Sequence, residues 1–63
     1  MSAVDETGTL TREGGGFYLR RDAGGVYALR LARMPVDLVE KRVRVRGTLI
    51  DAALVEVDGV APA

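Results

Sequence analysis

From Arg42 to Arg46 the chain alternates strictly, Arg-Val-Arg-Val-Arg, and the alternation continues through Gly47, Thr48 and Leu49. Side chains two apart on a strand share a face. The pattern therefore predicts a strand over 41–50, with Val43, Val45 and Leu49 toward a core and Arg42, Arg44, Arg46 and Thr48 toward water. The remaining elements are those that can cover this inner face. Thr7–Arg12 reads as a first strand, with Leu10 inward and Gly8 permitting a bend. Phe17–Arg21 reads as a second, with Phe17 and Leu19 inward and Tyr18 and Arg20 outward. Val26–Leu31 reads as a third, with Tyr27, Leu29 and Leu31 sharing the inner parity and Val26, Ala28 and Arg30 outside. Leu54–Val60 is the last.

Parity also suggests register. Leu19 opposite Leu29 leaves a three-residue loop, Ala23-Gly24-Gly25, and puts Tyr18 opposite Arg30 and Arg20 opposite Ala28. Leu49 opposite Val55 puts Thr48 against Glu56 and Arg46 against Asp58. Glu13-Gly14-Gly15-Gly16 and Asp22–Gly25 are loops. Pro35 ends the third strand's pattern, and Val36–Glu40 reads as one helical turn capping an end of the sheet, with Pro35 at its start. Residues 7–60 form the expected domain, with 1–6 and 61–63 as flexible tails.

Five short strands with one helical turn between the third and fourth suit a small all-β, five-stranded Greek-key barrel of the OB type. An SH3-like barrel is the rival. Its break falls before the last strand, whereas the longest break here follows the third. Closure suits so short a chain. A domain of about 60 residues buries only about 60% of the surface its unfolded chain exposes. This sequence has no Cys for disulfides and no His, so a soft or imidazole metal site is not expected.

The segments Gly8-Thr9-Leu10, Gly15-Gly16-Phe17-Tyr18-Leu19, Gly25-Val26-Tyr27-Ala28-Leu29, Glu40–Leu49 and Val55–Val60 resemble a family of very small bacterial proteins of unknown function with an OB-like barrel. The run from Lys41 to Leu49, a short turn, and the Val55/Val57 strand are similar to the last hairpin of many small bacterial OB domains. Those hairpins commonly carry Gly where this chain has Glu40. The resemblance implies a fold and carries over no catalytic residue.

Nine basic residues balance nine acidic ones, which argues against nucleic-acid binding by bulk charge. The distribution is uneven, however. Residues 17–46 hold eight basic and three acidic residues, so a local basic patch can form on a neutral molecule. No apolar run approaches the ~20 residues of a membrane span. The start, Met1–Glu6, lacks the hydrophobic region of a signal peptide, and a cytoplasmic location is expected.

Catalysis without His or Cys would fall to carboxylates, Tyr or Lys. Glu56 and Asp58 share a strand face, but exposed carboxylates with basic neighbours read as solvated charges. No catalytic residue, cofactor or metal is assigned. The glycine triplet Gly14, Gly15 and Gly16 fits no phosphate-loop spacing and reads as a hairpin tip, with its ordering on ligand binding left open.

The outer face of the second and third strands is the better candidate. Tyr18 offers a ring for stacking, with Arg20 and Arg30 beside it and Arg44 within the basic middle. The plain alternative is a surface pair in which Arg30 covers Tyr18. Arg42, Arg44 and Arg46 lie about 6–7 Å apart on their strand, near phosphate spacing. The same row equally protects a strand edge. The expected function is a non-enzymatic module that binds single-stranded nucleic acid. The alternative is a protein-interaction module, a homodimer included, working through an exposed strand edge or a Val26/Ala28 patch.

Overall fold

The computed structural model describes residues 2–63. Five strands, β1 (Ser2–Glu13), β2 (Gly16–Arg21), β3 (Val26–Arg30), β4 (Arg42–Asp51) and β5 (Leu54–Pro62), form one mixed sheet. It closes on itself in the order β1-β2-β3-β5-β4. A single 3₁₀ turn, Val36–Leu38, lies between β3 and β4 among the described residues, with Pro35 at its start.

The alternation of β4 sorts its side chains as the sequence predicts. Val43 and Val45 have no exposed surface, and Arg42, Arg44 and Arg46 are exposed. Leu10, Phe17, Leu19, Leu29 and Val55 join them in the interior. Tyr27, Leu31, Leu38, Val39, Leu49 and Val57 pack around this centre, half-buried.

Closure depends on β1. It pairs with β4 from Ser2 to Thr9 and with β2 from Gly8 to Glu13. Gly8 and Thr9 therefore have a strand on each side. At Gly8 the β2 backbone comes so near that a Cβ would overlap the Arg20 carbonyl. The expected tail at 2–6 is accordingly strand, while Met1 lies outside the described residues. Only Val4 of this segment packs on the core, so its apolar signal is weak. What orders it is the long edge of β4, which would otherwise stand unpaired. The expected tail at 61–63 is also largely strand. Ala61 and Pro62 face Arg44 and Val43, and the Ala63 N–H donates to the Arg42 carbonyl at 3.1 Å.

Two registers differ from expectation. β2 and β3 are offset by two residues, with Phe17 opposite Leu29, Leu19 opposite Tyr27, Tyr18 opposite Ala28 and Arg20 opposite Val26. A shift of two preserves every inward residue, so parity could not detect it. The loop decides. Gly24 and Gly25 both adopt positive φ, and the Arg21 N–H donates to the Gly25 carbonyl at 3.0 Å, giving a four-residue turn, Asp22–Gly25. In the last hairpin Leu49 faces Val55 and Thr48 faces Glu56 as expected. A bulge then inserts Asp58, so Arg46 faces Gly59 instead. Gly47 sits beside this bulge, where a Cβ would overlap the Glu56 carbonyl.

β3 and β5 run parallel, paired through Ala28–Arg30 and Leu54–Glu56, with the Ala28 N–H also donating to the Ala53 carbonyl at 2.7 Å. The approach to β4 is fixed by the Glu40 N–H to the Leu10 carbonyl (2.7 Å) and the Leu10 N–H to the Lys41 carbonyl (3.1 Å). Glu40 holds φ at 66°, the only positive value outside glycine among the described residues. A left-handed φ here is what glycine adopts most readily.

The backbone sets the cost of three substitutions. Gly47→Ala forces β4 and β5 apart and should lower stability by about 1–3 kcal/mol. Gly59→Ala meets nothing within 4 Å and should change it by less than about 0.5 kcal/mol. Glu40→Gly relieves a left-handed side-chain residue and should raise stability by about 0.5–1 kcal/mol after the extra chain entropy of glycine. Urea denaturation of the three variants measures these. Equal midpoints for the two alanine variants, or a lower one for Glu40→Gly, would contradict this account.

Candidate nucleic-acid interface

The outer face of β1, β2 and β3 is ordered in rungs set by register. One rung runs Thr11, Tyr18, Ala28. The next runs Arg42, Thr9, Arg20, Val26. Arg30 follows Ala28 by two residues on β3, on the same face, and lies across from Glu56 of β5. Tyr18, Arg20 and Arg30 thus share one surface. Thr11 borders it, its hydroxyl donating to the Tyr18 carbonyl at 3.4 Å. Val26 is exposed and Ala28 half-buried.

The expected surface pair of Arg30 and Tyr18 does not form, because the two-residue offset sets Ala28, not Arg30, across from Tyr18. Two other arginines stack on rings. The Arg21 guanidinium lies 4.1 Å from the Tyr27 ring centre and that of Arg12 lies 5.4 Å from Phe17. Arg21 has inward parity at the end of β2, and its Nη1 donates to the Tyr27 hydroxyl at 3.2 Å. It closes that end of the sheet. The Tyr18 ring carries no such cation among the described residues.

The arginines differ sharply in what already holds them. Arg44 grips Asp5 with two parallel hydrogen bonds, Nε to Oδ1 at 2.7 Å and Nη2 to Oδ2 at 2.5 Å. Hydrogen bonding from Arg44 holds the Asp5 carboxyl below its ordinary value of 3.8, opposed by some desolvation and helped by the charges of Arg44 and Arg46. The same bond raises Arg44. Arg42 is paired with Asp22. Arg30 meets Glu56 only at 3.9 Å, with both side chains more than half exposed, a contact worth little in water.

Arg20 and Arg46 have no ion-pair partner among the described residues. The expected Arg46–Asp58 pair is lost to the bulge. Both residues instead line a shallow depression of about 290 Å³ with Ala3, Val4, Asp5 and Gly47. The basic row of β4 is therefore largely neutralised. Arg44, two strands and one rung away from Arg20, does not converge with Tyr18. Arg42, in the rung of Arg20, is nearer but carries a counter-ion.

Gly14 and Gly15 form a two-residue hairpin turn, both at positive φ, between the paired Glu13 and Gly16. That geometry is what the turn itself requires. Glu56 is engaged with Arg30, and Asp58 projects from the bulge. No group of three or more metal-ligating side chains occurs among the described residues. No helix among them is long and apolar enough to cross a membrane.

A second surface escaped sequence reasoning. Leu31–Pro35 and Val57–Val60 enclose a groove of about 510 Å³, with Met34 66% exposed beside it. The apolar Met34-Pro35-Val36 within a break was the available signal.

Compared with known proteins, residues 7–63 match the family described as protein of unknown function (DUF5818), and the chain belongs to it. No curated protein matches the chain, and no solved structure does.

The Asp5–Arg44 pair sets a pH expectation. A carboxyl lowered on folding contributes stability that is present above its unfolded value, near 3.8, and is lost as pH falls through the lower folded value. Carboxyl NMR should show Asp5 titrating below 3.8 and returning toward it in Arg44→Gln. An Asp5 midpoint indifferent to that substitution would remove the pair from the account.

Proposed function

We propose that this chain is a small non-catalytic binding module on an OB-type Greek-key barrel, and that it binds single-stranded nucleic acid on the outer face of β1–β3. The strand order β1-β2-β3-β5-β4, with β1 shared between β2 and β4 and a parallel β3–β5 seam, supports the OB reading. In that fold the second and third strands form the usual oligonucleotide face. The observation that carries the ligand assignment is the pairing on β2 of an aromatic ring free of any cation, Tyr18, with an arginine free of any counter-ion, Arg20. One can stack on a base while the other meets a phosphate. Arg30 reaches the same surface and is held only by the long contact to Glu56. Arg44 is left out of the contact set because Asp5 neutralises its charge and takes the Nε/Nη2 edge of its guanidinium. A neutral molecule with two available arginines binds weakly and with little steering, in keeping with a ligand met at short range.

Titration of fluorescent oligonucleotides tests this. Neutralising two phosphates on a single strand gives a log–log salt slope of about −1.4, and Arg20→Ala should reduce its magnitude by about half. Tyr18→Ala should weaken binding by about 1–3 kcal/mol, roughly 5- to 150-fold. Arg44→Ala should leave affinity nearly unchanged. Absence of binding at low salt, or equal losses from Arg44→Ala and Arg20→Ala, would overturn the assignment.

A further inference from the structure

The parallel seam between β3 and β5 is short. β3 ends at Arg30, while β5 runs on to Pro62. Val57–Val60 keep β4 on one side. On the other side no strand pairs with them among the described residues. Leu31–Pro35 does not pair with this edge among the described residues, and its carbonyls at Met34 and Pro35 accept from the Val36 and Leu38 N–H groups of the following turn instead. The groove left between the two segments is walled by Leu31, Met34, Pro35, Val57 and Val60, with Arg33 and Asp58 also lining it.

Three observations set this groove apart from ordinary surface. Met34 and the nearby Val36 are two of the three large apolar residues exposed among the described ones, at 66% and 54%. Arg33 and Asp58 both border the groove, yet neither has an ion-pair partner among the described residues. The groove also carries one charge of each sign, on a chain whose formal net charge is zero.

We infer that this groove is a self-association surface, occupied by a second copy of the chain related by a twofold axis. A twofold contact is isologous, so a residue that meets another across the axis is met by it in return. Arg33 of one protomer then faces Asp58 of its partner, and Asp58 faces Arg33, which satisfies both otherwise unpaired charges at once. Met34, unbranched and flexible, fills the partner's groove between Leu31, Val57 and Val60. The bulge at Asp58 interrupts the free edge of β5, so side chains rather than a continuous strand ladder carry the contact.

A nucleic acid is disfavoured as occupant, because Asp58 offsets Arg33 and no net positive charge remains. The contact lies on β5 and the segment after β3, and it uses neither Tyr18 nor Arg20. It therefore stands apart from oligonucleotide binding and can fail or hold independently of it.

Sedimentation velocity from micromolar to near-millimolar protein tests the inference. The wild type should shift from monomer to dimer over that range, and Tyr18→Ala should do the same. Met34→Glu alters an exposed side chain, so circular dichroism should stay native while the dimer is lost. Arg33→Glu and Asp58→Arg should each weaken the dimer about tenfold or more, and the double reversal should restore it. A wild type that stays monomeric throughout would overturn the inference. So would a dimer that persists in Met34→Glu, or a double reversal no better than either single change.

Discussion

A sheet of five short strands holds together only if its edges are paired, and here that requirement falls on one strand. β1 is long enough to lie against β4 along its first part and β2 along its second. Gly8, at the changeover, brings the backbones closer than any side chain would allow. The interior depends on this closure. It is built from Leu, Val and one Phe, with no buried charge among the described residues and no Cys in the sequence to form a disulfide. Opening the β1–β4 seam would expose Val43 and Val45, two of its fully buried residues.

The same closure decides the electrostatics of the outer surface. Bringing β1 alongside β4 carries Asp5 to Arg44, and the turn after β2 carries Asp22 to Arg42. Two of the three arginines in the stripe that looks most like a phosphate track in the sequence are thereby neutralised. The less conspicuous Arg20 is left open. Charge availability is a property of the folded register, and counting arginines overstates it.

Much of the fold was legible because period-two patterning is local. The faces of β2, β3 and β4 follow from alternation alone. Tyr18 and Arg20 could be assigned to the outer surface in the same way. What parity cannot see is a slip of two residues, and so the β2–β3 offset escaped and took the Tyr18–Arg30 pairing with it. The Asp58 bulge escaped because nothing in Val57-Asp58-Gly59-Val60 distinguishes a regular strand from a bulged one. The pairing of Ser2–Glu6 escaped because it buries little and depends on β4, some forty residues away in sequence. The counter-ions of Arg42 and Arg44, 20 and 39 residues distant, lie beyond the reach of any local pattern.

The parallel seam and the split role of β1 bear on how the chain acquires its shape during synthesis. When β1, β2 and β3 have emerged, only two hairpin ladders are available to them. The first half of β1 must wait for β4, and the end of β3 must wait for β5. The interior therefore cannot close until β4 and β5 supply Val43, Val45 and Val55. Contacts so distant along the chain make folding slow relative to helical domains of this size. Until then Leu10, Leu19 and Leu29 lack the inward-facing valines of β4 and β5 that cover them in the closed sheet.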